Sequence, residues 1–229
     1  MSHGSVIPVG EQGALKITIL MGSPRHQGNT AEILKPFMIE LHELSKFQEV
    51  SVQYITLSDK DIAPCKACYQ CQQVPGIYGC VQQDDMWQLT GQLLWSDIIV
   101  LATPIFHWSC PAETKAFIDR LYGLNKYYGA GAPEGAGPDA VGSAKETGAM
   151  LSGKGLALIT THGYDQEYAA APFELAMQHF CEHYHLDYYG MYSVRDEDDL
   201  ASFQTEEAKA GAKAFAQQIV LEWLNRHDM

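Results

Sequence analysis

The stretch KITILMGSPRHQGNTAEIL, from Lys16 to Leu34, decides the fold. It opens with an apolar, β-forming run that ends at Met21. Small, polar and turn-forming residues follow from Gly22 to Thr30, and apolar residues then recur at the spacing of a helix. A strand that leads through a loop into a helix presents unpaired N–H groups and the positive end of a helix dipole. The stretch therefore predicts an anion site.

Side chains of this loop add to the predicted anion site. Ser23, Asn29 and Thr30 offer hydrogen-bond donors, and Arg25 offers a fixed cation. We expect a phosphate here; the alternative is an ordinary strand-to-helix turn capped near Thr30. The loop matches neither G-x-G-x-x-G nor G-x-x-x-x-G-K-[ST], and its donors suit a phosphate that carries little metal. This favours FMN over a dinucleotide or ATP with its magnesium.

Composition and charge narrow the class of protein. The 229 residues suit one α/β domain, which we place at 16–229 behind a loose N-terminal lead at 1–15. The formal net charge of -13 argues against a nucleic acid or an anionic membrane surface as partner. The chain has no apolar run of about eighteen residues and no signal-peptide pattern. We therefore expect a cytoplasmic protein.

Strand and helix patterns alternate along the rest of the chain. After the first strand and helix, we predict strands at 50–57, 97–102, 155–160 and 186–192, and helices at 84–94, 111–122, 168–183 and 206–226. This alternation predicts a three-layer α/β fold with a doubly wound sheet of five parallel strands in the order 2-1-3-4-5. Ligands bind such sheets where the strand order reverses. The loops after strands one, three and four should therefore meet at one pocket.

Two longer segments interrupt this alternation. One is a cysteine loop at 61–83, and the other is a Gly/Ala-rich insert at 125–153. In the cysteine loop, Cys65, Cys68 and Cys71 follow C-x2-C-x2-C, and Cys80 comes after eight further residues. Four thiolates at this spacing can bind a [4Fe–4S] cluster or a zinc ion, or can remain free thiols, and the residues alone leave the three open.

Three smaller features have ordinary interpretations. His179 and His183 belong to an H-x-x-E-H pattern, which occurs in zinc hydrolases but here falls on a crossover helix. Cys110 precedes Pro111, which we predict as the first helical residue, so Cys110 is expected to cap or pack rather than react. The charge run from Asp196 to Asp199 is interpreted as a solvated loop.

Taken together, the motifs resemble a known family. SPRHQGNT, the cysteine loop followed by DDM, TPIFHWSCPAETKAFIDRLYG and the THG loop occur in the order seen in flavodoxin-like NADPH-dependent FMN reductases, and especially in the iron–sulfur flavoprotein branch. The resemblance implies that Ser23, Arg25, Gly28, Asn29 and Thr30 bind the FMN phosphate. It implies that the ring is bordered by Pro104, Ile105, Phe106, His107, Thr161, His162 and Gly163. It also implies a [4Fe–4S] cluster on the four cysteines. In the flavin site this sequence departs from the family at Phe106, where the family usually has Tyr.

The resemblance further implies an activity. An FMN-dependent oxidoreductase would take electrons from NAD(P)H and pass them, directly or through the cluster, to a quinone-like or one-electron acceptor, with His107 and His162 as candidate proton donors. The alternative is a non-catalytic flavin electron carrier, reduced by a ferredoxin-like protein that docks on the acidic surface. Analogy with the family favours a homodimer or homotetramer.

Overall fold

The computed structural model describes residues 14–74, 76–126, 149–196 and 200–227. Its strands are β1 (Leu15–Met21), β2 (Val50–Thr56), β3 (Ile98–Pro104), β4 (Gly155–His162) and β5 (Asp187–Arg195). Its α-helices are α1 (Asn29–Leu44), α2 (Met86–Trp95), α3 (Ala112–Arg120), α4 (Gln166–Ala169), α5 (Ala171–Tyr184) and α6 (Glu206–His227). Short 3-10 turns occupy Leu57–Asp59, Gln70–Gln73, Leu121–Leu124 and Leu200–Gln204.

The five strands form one parallel sheet in the order β2-β1-β3-β4-β5. The predicted α/β class, strand number and strand order are therefore confirmed. β1 lies between β2 and β3, with Ile17 opposite both Val52 and Ile98. The strand order reverses between β1 and β3, which is where the sequence predicts a ligand pocket.

A separate apolar core covers each face of the sheet. On one face, α1 and α6 pack through residues such as Phe37 and Phe215, whose rings lie 6.2 Å apart. On the other face, α2, α3 and α5 pack through residues such as Leu89, Phe117 and Met177. β3 and β4 are apolar along almost their whole length because helices cover both of their faces.

Two local predictions need correction. Pro111 is the N-cap of α3 and not its first helical residue. Of the two roles predicted for Cys110, capping and packing, Cys110 therefore has the second, since it is buried. The helix predicted at 168–183 is two helices, a single turn (α4) followed by α5, because Pro172 starts a new helix at its second position.

Some predicted segments fall outside the described residues. These are residues 1–13 of the N-terminal lead, residues 127–148 of the Gly/Ala-rich insert and residues 197–199 of the charge run. Among the helices that the structure describes, none is both long enough and apolar enough to span a bilayer.

Candidate functional site

A cavity of about 180 Å³ opens where the strand order reverses. Loops after four strands line it, so residues far apart in sequence meet there. Its lining comprises Ser23, Arg25, Gly28, Asn29, Thr30, Pro104, Ile105, Phe106, Thr161, His162, Gly163 and Asp196. The structure thus brings together all of the residues that the sequence assigned to a flavin site except His107, and it adds Asp196.

The loop between β1 and α1 forms one side of this cavity. Gly28 is the N-cap of α1 and has no side chain with which to cap the helix, so it leaves the first helical N–H groups for another acceptor. The Ser23 hydroxyl is buried and accepts the N–H of Arg25 at 3.1 Å, which shapes the loop. The Thr30 and Thr161 hydroxyls share a hydrogen bond of 2.9 Å that joins α1 to β4. This side is suited to an anion.

The start of the same loop is fixed by close packing. A side chain at Gly22 would approach the Thr114 hydroxyl to 2.4 Å, and that hydroxyl donates to the Gly22 carbonyl at 2.8 Å. Only glycine therefore allows α3 to lie against the loop at this point. This contact positions the anion side of the cavity relative to the loop after β3.

The opposite side of the cavity is made by the loops after β3 and β4. The Ile105 N–H donates to the Thr161 carbonyl at 2.8 Å, which extends the pairing of the two strands to the cavity wall. Gly163 also lines the cavity, and a Cβ atom built on it would have no heavy atom within 4 Å. Packing therefore does not require glycine here, and the absence of a side chain leaves space beside the cavity.

His162 is held at both ring nitrogens. Nδ1 lies 2.7 Å from the Tyr164 carbonyl, and Nε2 lies 2.8 Å from the Ser193 hydroxyl. A carbonyl can only accept, so Nδ1 carries a proton and Nε2 faces the hydroxyl. Burial lowers the pKa of His162, which favours this neutral form. The arrangement makes His162 a brace for the loop after β4, with both nitrogens occupied.

His107 lies outside the first cavity and lines a second one beside it, of about 640 Å³. A tight turn carries it: Phe106 and Ser109 exchange two backbone hydrogen bonds, at 2.7 and 3.0 Å, around His107 and Trp108. Both central residues have positive φ, 48° and 63°, which is costly for residues other than glycine. Such strain is typical of functional loops, where the backbone is held to aim particular side chains.

The second cavity has an aromatic wall that sequence reasoning did not identify. The Trp108 ring meets Tyr168 edge to face at 5.6 Å, and Tyr168 meets Tyr164 in the same way at 5.7 Å. All three side chains are well exposed. Tyr164 directly follows the THG loop and Tyr168 lies in α4, so their proximity to that loop in the sequence was the available signal. The wall offers π surfaces next to the first cavity.

Asp196 is the second residue that sequence reasoning missed. It follows β5 directly, and its N–H donates to the His162 carbonyl at 2.6 Å. Its Oδ2 accepts from Asn29 Nδ2 at 2.9 Å, while Oδ1 of Asp196 and Oδ1 of Asn29 are buried without a hydrogen-bond partner. The interpretation of Asp196 as part of a solvated loop is therefore wrong, since its carboxylate lies in the predicted phosphate site.

The four loop cysteines line a third cavity, of about 340 Å³. Two of the residues between them, Ala67 and Tyr69, adopt left-handed φ of 50° and 58°, a strained geometry for residues other than glycine. Three of the sulfurs receive hydrogen bonds: Cys65 from the Ala67 N–H at 3.5 Å, Cys71 from Gln72 at 3.7 Å and Cys80 from Arg120 at 3.3 Å. The four cysteines of this cavity have the chemistry of an iron–sulfur donor set, but among the described residues no three of them are grouped closely enough to hold a single metal ion.

A buried ion pair fastens this loop to α3. The Arg120 guanidinium donates to both carboxylate oxygens of Asp84, at 2.5 and 2.9 Å, and to the Ala63 carbonyl at 2.7 Å. Both side chains are almost fully buried. Burial alone would raise the pKa of Asp84, but the hydrogen bonds and positive charge of Arg120 lower it below the usual value. Asp84 is thus a structural anchor of the cysteine loop.

The histidines of the H-x-x-E-H pattern do not form a metal centre with other described residues. His179 Nδ1 lies 3.2 Å from the Glu182 carboxylate on the exposed face of α5. In the ranges that the structure covers, no three His, Cys, Asp or Glu residues are grouped so as to bind a single metal ion. The buried Cys110 and Cys181 have pKa values raised by burial, as expected of packed thiols.

Three comparisons with known proteins agree with this architecture. Residues 15–222 match the family model described as the flavodoxin-like fold. An iron–sulfur flavoprotein from Archaeoglobus fulgidus is 36% identical over 107 residues, which is 47% of this chain and 46% of that protein. This chain spans about half the length of the curated relatives it matches.

Solved structures share the fold at low identity. The NAD(P)H:quinone oxidoreductase from Methanothermobacter marburgensis has a TM-score of 0.62 and 14% identity, with 91% of this chain and 98% of that chain covered. The FMN-dependent NADH-azoreductase from Bacillus anthracis, solved in complex with FMN, has a TM-score of 0.58 and 14% identity, with 90% and 99% covered. The predicted resemblance is confirmed: with a family model that covers most of its length, this chain belongs to the flavodoxin-like fold family.

Proposed function

We propose that this protein is an FMN-dependent NAD(P)H oxidoreductase. The observation that carries the proposal is the convergence of eleven sequence-predicted flavin-site residues on one cavity at the switch point of the sheet. The relatives support the same chemistry, because they include iron–sulfur flavoproteins and an FMN-dependent NADH:quinone oxidoreductase. Bound FMN would supply hydride acceptance and onward electron transfer.

The residues of the first cavity have distinct roles in this proposal. Ser23, Arg25, Asn29 and Thr30, with the N–H groups at the start of α1, would bind the phosphate. The loops after β3 and β4 would border the ring, since their backbones pair at Ile105 and Thr161 and since Gly163 leaves room beside them. The unpartnered amide oxygen of Asn29 is a further polar group that a ligand could satisfy.

The two histidines have different prospects as proton donors. His162 has both nitrogens engaged by the protein, so we assign it the positioning of the loop after β4. His107 is exposed in the second cavity and remains the candidate proton donor to an acceptor bound there.

The second cavity favours an enzyme over a pure electron carrier. Its volume and aromatic wall could receive a nicotinamide or a flat acceptor ring next to the flavin cavity, which a carrier that exchanges single electrons with proteins does not need. A [4Fe–4S] cluster on the four loop cysteines is part of the proposal and would add a one-electron route. We further propose a single cytoplasmic domain over 16–229, assembled as a homodimer or homotetramer.

Anaerobic reduction tests the activity. The purified protein loaded with FMN is mixed with NADH or NADPH in a stopped-flow spectrometer, and loss of the yellow flavin absorbance is followed. We expect one of the two nucleotides to bleach the flavin within seconds, with reoxidation on addition of a soluble quinone. An FMN-loaded protein that neither nucleotide bleaches, but that a reduced ferredoxin does, would instead favour the electron carrier.

A further inference from the structure

A second buried cation, Lys126, contacts the backbone of the cysteine loop. It is only 3% exposed, and its ammonium group donates to the carbonyls of Cys71 and Tyr78 at 2.6 and 3.1 Å. Its two acceptors therefore belong to a loop cysteine, Cys71, and to Tyr78, two residues before Cys80. Gln72 also fixes this loop, because its side-chain amide donates to the Tyr122 and Asn125 carbonyls at 3.0 Å.

Close packing also joins the cysteine loop to the segment that carries Lys126. The Tyr78 ring is buried against Gly123, where a Cβ atom would come within 2.7 Å of the ring, so only glycine permits the contact. This contact holds Tyr78, whose carbonyl accepts from Lys126, against the segment of chain that precedes Lys126.

The charges under the loop do not balance. Arg120 is neutralised by Asp84, but none of the ion pairs made by the described residues includes Lys126. Its partners are neutral carbonyl oxygens. A buried ammonium group without a counter-charge is costly, so buried charges are normally paired. Burial lowers the pKa of Lys126, and thiolates at Cys71 and Cys80 would raise it again, so the cysteine loop can supply the missing negative charge.

We propose that Lys126 is the buried counter-cation of an anionic iron–sulfur cluster held by Cys65, Cys68, Cys71 and Cys80. The inference rests on the cluster included in the proposed function. Four thiolates outweigh the charge of the iron–sulfur core, so the ligated cluster is an anion and gains a further negative charge on reduction. A fixed cation below it stabilises the bound cluster and favours the reduced state, which raises its reduction potential. Lys126 is a positioning and tuning residue and not an iron ligand.

The experiment compares Lys126→Gln with wild type and two controls. Glutamine keeps an N–H donor for the carbonyls but removes the charge, whereas Lys126→Arg keeps the charge. Lys154→Gln is the matched control, since the Lys154 ammonium also donates to two carbonyls, those of Leu94 and Ser96, and neither is in the cysteine loop. All four proteins are prepared anaerobically, and iron, sulfide, FMN and the EPR-monitored cluster potential are measured.

We expect wild type, Lys126→Arg and Lys154→Gln to hold about four irons per chain, as a [4Fe–4S] cluster requires, at similar potentials. Lys126→Gln should bind FMN normally but show a more negative cluster potential, or lose its iron several-fold faster. Equal potential and equal iron retention in Lys126→Gln and wild type would overturn the inference. If Lys126→Gln does not fold, Lys126→Met removes the same charge with an apolar stem and is judged by the same two outcomes.

The wild-type sample separates this inference from the wider function. Wild-type protein that is bleached by a nicotinamide but contains only background iron would overturn the role of Lys126 and leave the flavin reductase standing. Wild-type protein with a cluster but no flavin bleaching would remove the reductase and leave the role of Lys126 to be decided by the variants.

Discussion

The carboxylate of Asp196 is the least expected group in the phosphate side of the cavity. It accepts a hydrogen bond from Asn29, one of the proposed phosphate donors, so a negative charge already occupies part of the site. Like charges at close range repel, and the Asn29 amide has to be shared between two acceptors. We infer that Asp196 limits the affinity for FMN.

Replacing Asp196 with asparagine should therefore tighten FMN binding. We expect a decrease in Kd of about tenfold, equivalent to about 1.4 kcal/mol, while riboflavin, which lacks the phosphate, is affected much less. Quenching of flavin fluorescence measures both. Glu43→Gln is the charge-matched control, because Glu43 lies near the far end of α1 and is exposed. Equal tightening for riboflavin, or weaker FMN binding, would place Asp196 against another part of the flavin.

Gly163 allows a test of the ring side of the cavity. A Cβ atom added here would meet no heavy atom within 4 Å, so Gly163→Val should change the free energy of unfolding by less than about 0.5 kcal/mol. If the flavin ring borders this residue, the same substitution should weaken FMN binding by about tenfold or more, about 1.4 kcal/mol. Urea unfolding of the apoprotein and flavin titration provide the two readouts. Unchanged binding in a stable variant would contradict the assignment of Gly163.

Among single residues, the sequence identified those site residues that lie close together along the chain. Ser23, Asn29 and Thr30 lie within eight residues of one another between β1 and the start of α1, so the strand-loop-helix pattern was enough to predict that they share a site. Asp196 and Lys126 could not be assigned in this way. The position of each depends on which loop folds back over which strand end, and nothing adjacent in the sequence records that choice.

At the scale of elements, the ion pair of Asp84 and Arg120 joins the cysteine loop to α3. Asp84→Asn leaves a buried guanidinium without its counter-charge and should destabilise the protein by about 3–5 kcal/mol at pH 7. The pKa of Asp84 is lower in the folded state than its ordinary value of 3.8. Its stabilising contribution is therefore complete above pH 4 or so and decreases as the pH falls through the lowered pKa.

Urea unfolding at several pH values tests this linkage. The gap in unfolding free energy between wild type and Asp84→Asn should be largest near pH 7 and should narrow below about pH 4, where Asp84 of the unfolded wild-type chain takes up a proton before the folded carboxylate does. Asp119→Asn is a suitable control, since Asp119 is an exposed partner of Lys115 and should contribute less than about 1 kcal/mol. A gap that stays constant with pH would contradict the account of the pair.

The helix α2 contains a glycine, Gly91, that neither packing nor backbone conformation requires. Gly91 is exposed, and a Cβ atom there would have no heavy atom within 4 Å. Gly91→Ala should therefore stabilise the protein by about 0.5–1 kcal/mol, because alanine loses less backbone entropy in a helix. The midpoint of urea unfolding should rise with no change in flavin binding. A fall in the midpoint would indicate that α2 packs against a further surface.

The elements themselves were largely predictable. β3 and β4 are short apolar runs bounded by polar residues, and α6 carries a helical stripe, so hydrophobic periodicity located them. Boundaries were less accurate where caps decide them. The sequence predicts Pro111 as helical although it is the N-cap of α3. It also predicts one helix across α4 and α5, because a proline is tolerated in the first turn of a helix and Pro172 does not by itself mark a break.

At the scale of the whole molecule, sheet topology turns scattered motifs into one site. The order 2-1-3-4-5 brings the loops after β1, β3 and β4 to one edge, and their residues meet there as the alternating pattern predicts. With a formal net charge of -13, the protein as a whole repels a phosphate. Binding of FMN therefore has to come from local donors, and those are the N–H groups of α1 and the side chains around Arg25.

The most direct test of the central claim is a titration of the flavin-free protein with FMN and with riboflavin, followed by quenching of flavin fluorescence. The account predicts one FMN per chain, and riboflavin binding weaker by at least about a hundredfold, or about 2.7 kcal/mol, because riboflavin makes no phosphate contacts. A protein that binds neither flavin, or that binds riboflavin as tightly as FMN, would contradict a phosphate site at the start of α1.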